Sequence, residues 1–162
     1  MKLKKLLYLA LLTAVSLVLF VIENQIPAPV PVPGVKLGLG NVIVVAVLFL
    51  YGPWDALAVL GGKVFLSALL TGNLGALAYS AAGGLLSWGG MCLLRPLLGE
   101  KQLWIASVLG AMLHNLGQLL AAMAIADTPG LIAYLPVLLL SGMITGLFTG
   151  IAAQAVVRRL RR

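Results

Sequence analysis

The sequence predicts an all-α integral membrane protein, a bundle of six transmembrane helices with both chain ends cytoplasmic. Three observations predict it. Of 162 residues, 62% are hydrophobic and 9% charged, with mean hydropathy +1.12, whereas a soluble domain carries about 25% charged residues. Six apolar segments can be drawn between prolines, glycines and charges. The basic residues gather at the two ends and in one short loop, the pattern that orients membrane helices.

The first segment, Leu6–Ile22, follows Lys2, Lys4 and Lys5. This opening imitates a signal peptide, but the run exceeds a usual apolar region and no small-x-small cleavage site precedes the prolines. A retained first helix is expected. The second segment, Leu37–Tyr51, is short against the ~20 residues of a span, yet charge counting requires it. Lysines at the start and Arg158, Arg159, Arg161 and Arg162 at the end mark both termini as cytoplasmic, so the number of crossings is even.

Trp54–Thr71, Leu74–Leu94, Leu103–Ala126 and Leu131–Val157 complete the six, within one transmembrane domain spanning 1–162. The Arg95–Lys101 loop then also faces the cytoplasm, Lys36 faces out and Lys63 falls inside a span. The first outer connection contains four prolines between Ile26 and Gly34, which favour extended polyproline geometry. It is either a rigid spacer or a lid over an outward-facing cavity. Gly142, Gly146 and Gly150 recur at the spacing that lets helices approach closely, as do Ala10 and Ala14 on helix 1.

Polar residues inside such segments carry the functional information. His114 and Gln118 are four apart on one face of helix 5, with Asn115 roughly 100° round. Facing lipid they would lack partners, so they point into protein or water. They are either interhelical glue or part of a ligand site. Lys63 near the midplane costs about 2.5–3.5 kcal/mol to insert. All four acidic residues, Glu23, Asp55, Glu100 and Asp127, read as lying near membrane surfaces, so no carboxylate is expected at its depth. Lys63 is therefore either a snorkelling or neutral lysine, or an anion receptor acting with His114 and Lys36. Asn41, Asn73 and Ser80 belong to the same outer half. Together Lys36, Asn41, Lys63, Asn73, Ser80, His114, Asn115 and Gln118 are the expected ligand-binding set, for a small anionic or amphipathic compound in a pocket closed below.

Several functions are disfavoured. The basic residues form no face interleaved with aromatics, so no nucleic-acid partner is expected. Gly61-Gly62-Lys63 lacks the spacing and hydroxyl of a phosphate loop, so the chain does not hydrolyse ATP itself. No paired carboxylates or Ser/His/Asp set is available, so no catalytic residue is expected. Cys92 stands alone and is read as a buried apolar residue; no metal or cofactor site is expected.

Lys36 through Asn41, Ala81 through Leu86, His114 through Gln118 and Tyr134 through Gly142 closely resemble the bacterial Gx transporter family, also called heptaprenyl diphosphate synthase component I. The resemblance covers nearly the whole chain. That family is similar to the substrate-binding S components of energy-coupling factor (ECF) transporters, which implies six helices, cytoplasmic termini in the plasma membrane and a pocket near the outer surface. It further implies a transmembrane coupling subunit with separate ATPases as partners, docked through Ala10 and Ala14, and a gating role for the proline-rich loop. The synthase name implies a different role. Prenyl diphosphate synthases hold magnesium with aspartate-rich motifs, whereas Asp55 and Asp127 are isolated on opposite faces. The alternative is thus a non-catalytic membrane accessory subunit of polyprenyl diphosphate or quinone-precursor synthesis; a third is a purely structural partner.

Overall fold

The computed structural model of the chain describes residues 3–26 and 37–161. Lys36 and the prolines expected to form a rigid spacer or a lid lie outside them. The described residues form six α-helices: α1 (Leu3–Asn24), α2 (Leu39–Leu50), α3 (Pro53–Thr71), α4 (Leu74–Leu94), α5 (Leu103–Ala126) and α6 (Leu135–Leu160). Among the described residues there is no strand.

Local chemistry sets the boundaries. Pro53 opens α3 in its first turn, where a missing N–H costs nothing. Gly72 closes the same helix in the left-handed conformation, φ +64°, open to glycine without a steric penalty. The sixth helix starts later than the apolar run suggests, because Pro136 occupies its first turn and the preceding Pro129–Tyr134 forms a 3-10 segment instead. Proline inside the helix would lose a backbone bond and clash with the preceding turn.

Both chain ends lie at one end of the bundle. The Lys5 ammonium pairs with Asp55 of α3 at 2.8 Å, and Arg161 donates to the Phe49 carbonyl near the end of α2 at 2.8 Å. Since α2 and α3 are joined through Tyr51 and Gly52, the two ends of the chain meet the same turn.

Helix α2 is the centre of the core. Val42 through Phe49 are all buried, and a helix apolar all round is stable only when surrounded. Its 12 residues reach only about 18 Å, short of the ~30 Å hydrocarbon thickness. The expectation of six equivalent spans is therefore refined: among the described residues, five helical segments are long and apolar enough to cross a membrane, and α2 runs among them.

Glycine sets the packing of the last three helices. A Cβ at Gly117 would stand 2.8 Å from the Ala82 oxygen and 2.8 Å from Gly83 Cα, so α4 and α5 touch backbone to backbone. Added carbons at Gly146 and Gly150 would each come within 2.7 Å of α5 backbone, at Val108 and Trp104. The glycine row thus seats α6 on α5. Outward, α1 exposes Leu7, Leu11 and Val18 and α6 exposes Leu140, Phe148 and Ile151. Such contiguous apolar surface belongs in lipid, and the protein is a multi-pass membrane protein.

Candidate functional site

All six helices contribute to a cavity of about 120 Å³. From α3, Leu60, Lys63, Val64 and Ser67 face it, the spacing of a single helical stripe. Lys63 is only 9% exposed and its ammonium donates to Asn41 Oδ1 at 2.6 Å. Gly40 makes this possible. A Cβ there would stand 3.1 Å from Lys63 Cε and 2.9 Å from the Ser16 carbonyl, so the lysine stem and the α1 backbone both need the missing side chain.

Glu23 is the chief correction to the sequence reading. Expected at the outer surface, it is 6% exposed and lines the same cavity as Lys63. Its Oε1 accepts from the Gly38 N–H at 2.5 Å and its Oε2 from the Leu39 N–H at 2.9 Å. The carboxylate thereby satisfies two backbone donors at the start of α2, where negative charge is favoured by the helix dipole. A carboxylate does reach the cavity of the buried lysine, which the residue's place at the end of an apolar run conceals.

Across the cavity, His114, Asn115 and Gln118 of α5 all line it. The first and last pack on α4 where Gly83 leaves room: a Cβ there would lie 2.6 Å from the His114 carbonyl and 2.7 Å from Gln118 Cγ. Asn115 also acts as interhelical glue, its amide donating to the Leu138 carbonyl of α6 at 2.7 Å. Ser80 of α4 lines the cavity beside them. Asn73 does not: its side chain is exposed and caps α4, accepting from the Ala76 N–H at 3.0 Å. Ala10 and Ala14 are exposed on α1, away from the cavity.

The cavity reaches further toward the chain ends than the sequence reading expects. Ser107 and Thr149, both buried, pair through their hydroxyls at 3.0 Å, with Ser87 and Thr145 also on the wall. A signal for them existed. Ser107, Ala111, His114 and Gln118 fall at three- and four-residue steps along α5, as do Ser80, Gly84, Ser87 and Met91 along α4. Cys92 is partly buried at the edge of the apolar core.

The site therefore holds an ammonium, a carboxylate, one imidazole and a wall of amides and hydroxyls. Its volume is close to the ~150 Å³ that accommodates benzene in an apolar cavity, room for a small molecule or a head group. Among the described residues, no three His, Cys, Asp or Glu side chains gather in a group that could hold a metal ion.

The sequence-family model described as heptaprenyl diphosphate synthase component I matches residues 12–156. Neither curated proteins nor solved structures gave a match. With its match running from the first helix almost to the end of the last, the chain belongs to the heptaprenyl diphosphate synthase component I family.

Proposed function

We propose that this chain is the substrate-binding subunit of a membrane uptake system, similar to an ECF S component, which captures a small compound bearing an anionic group. The observation that carries the reading is the buried Lys63 ammonium, held by Asn41 on the wall of a polar cavity inside an otherwise apolar bundle. Ionisable groups at such positions are costly and are kept where they meet a substrate or an ion. Lys63 takes the anionic group, and His114, Asn115, Gln118, Asn41 and Ser80 supply directional hydrogen bonds. In this reading the chain is one transmembrane domain in the bacterial plasma membrane, with six crossings and both termini cytoplasmic.

Energy comes from separate ATPase subunits through a coupling subunit that packs on α1. Ala10 and Ala14 are exposed among larger apolar side chains, and small residues permit close approach of a second helix. Replacing both by leucine and measuring uptake, ligand retention and copurifying subunits tests this. Uptake and subunit capture should be lost while ligand stays bound; loss of ligand with the complex intact would refute the docking role.

The family name favours a second reading, a non-catalytic accessory to a partner synthase component. The cavity volume argues against its holding a heptaprenyl chain, since ~150 Å³ is filled by benzene alone. Synthase activity of any copurifying partner, measured on the same preparations, separates the two readings.

A further inference from the structure

We propose that the compound held in this cavity is a small zwitterion, whose anionic group meets Lys63 and whose ammonium group meets Glu23. The proposal rests on the cavity being a ligand site and goes on to name the class of ligand.

Charge narrows the class of ligand. Lys63 and Glu23 are the two charged side chains on the described wall, and each is more than nine-tenths buried. Their charges cancel, and an imidazole such as His114 in its neutral form adds a donor and an acceptor but no charge. Against the charges of the described wall, a simple anion would leave one negative charge uncompensated in a medium of low dielectric, and a simple cation would leave one positive charge. A zwitterion enters without changing the balance.

Position agrees with charge. Glu23 engages Gly38 and Leu39, while Lys63 engages Asn41 two to three residues further on, so both charged groups are anchored at the start of α2. Both groups line one small cavity, so a molecule carrying an ammonium and an anionic group only a few bonds apart can meet the two together. Glu23 retains capacity for it: each oxygen receives one backbone N–H and has a second acceptor direction. The remaining wall, with Ser87, Ser107 and Thr149, offers hydroxyls to a short polar side chain. A cavity of about 120 Å³ limits the whole to amino-acid size.

The full-length protein in nanodiscs is to be titrated at pH 7 with pairs sharing one carbon skeleton: alanine against lactate, serine against glycerate, and aminomethyl- and aminoethylphosphonates against their hydroxy analogues. The amino member of at least one pair should bind at least tenfold more tightly than its hydroxy partner. Glu23→Gln should shrink that difference to less than threefold, and Lys63→Met should weaken both members. Because Glu23 also holds the start of α2, the wild-type comparison stands by itself should the variant fail to fold. Hydroxy acids binding as tightly as amino acids would overturn the zwitterion while leaving an anion site. Binding of neither series would count against both the zwitterion and the ligand cavity.

Discussion

Helices α4, α5 and α6 pack through a row of glycines, with backbone against backbone at Gly117, Gly146 and Gly150, whereas α1, α2 and α3 pack chiefly through large aliphatic side chains around α2, with Gly40 a single close approach to the α1 backbone. The charges on the described cavity wall divide the same way. Lys63 and Glu23 belong to the first three helices, while the last three offer the cavity an imidazole, amides and hydroxyls. Backbone contact leaves little room for adjustment, and side-chain packing around a charged, hydrogen-bonded centre leaves more. Under the proposed function this is a division of labour: a closely zipped wall presents neutral hydrogen-bonding groups, and a side-chain-packed wall presents the charges that would select a ligand.

The largest expected effect breaks the zipped wall. Gly117→Leu forces a side chain into Ala82 and Gly83 backbone, and overpacking of this kind costs about 1–3 kcal/mol or more. The purified variant should lose most of its folded yield, with a clear drop in melting temperature in detergent. Wild-type yield and melting would remove the rigid-wall half of the comparison.

Next comes the charged wall, where Lys63→Met keeps the apolar stem and removes the ammonium. Folding should survive, while ligand affinity falls by about 1.5–3 kcal/mol, the worth of a charge-assisted hydrogen bond. His114→Ala and Gln118→Ala should weaken the same binding by about 0.5–1.5 kcal/mol each, as neutral hydrogen bonds do. Equal losses from the lysine and from the neutral residues, read by equilibrium binding, would erase the distinction between the walls.

Smaller still is Ser107→Ala, which removes the hydroxyl pair with Thr149. Interhelical bonds in membranes average about 0.6 kcal/mol, so the melting temperature should move only slightly. The smallest effect compares two neighbours on α3. A Cβ at Gly61 meets nothing within 4 Å, whereas one at Gly62 meets Thr13 Cγ2 at 3.0 Å. Gly61→Ala should change stability by less than about 1 kcal/mol, and Gly62→Ala should be the worse of the pair. The reverse order in thermal melts would put the α1–α3 contact in doubt.

Much of this was legible in the sequence, for identifiable reasons. Apolar runs bounded by Pro53, Gly72 and the Arg95–Lys101 loop mark helices, because chain reversal and charge are excluded from hydrocarbon. His114, Asn115, Gln118, Lys63 and Asn41 could be singled out because polar groups in apolar helices need partners, and the structure brings them to one cavity. Position at helix ends was harder to read. Glu23 and Asn73 both sit where a helix meets its connection; one turns inward to hold the start of α2 and the other caps α4 outside. Asn73 directly precedes an apolar run and caps it locally, as an N-cap asparagine does, whereas the fate of Glu23 depends on where the start of α2 is placed, which its local sequence does not show. The central position of α2 was equally hidden, because a short apolar run reads alike as a span and as a buried core helix.

The central claim is that the buried charge of Lys63 holds a small molecule in this cavity. Wild-type protein and Lys63→Met, purified gently from native membranes and matched for folded content, can be compared by mass spectrometry of the small molecules each releases. The account predicts a compound of amino-acid size released by the wild type and reduced at least tenfold in the variant. Equal release from both, or none from either, would contradict it.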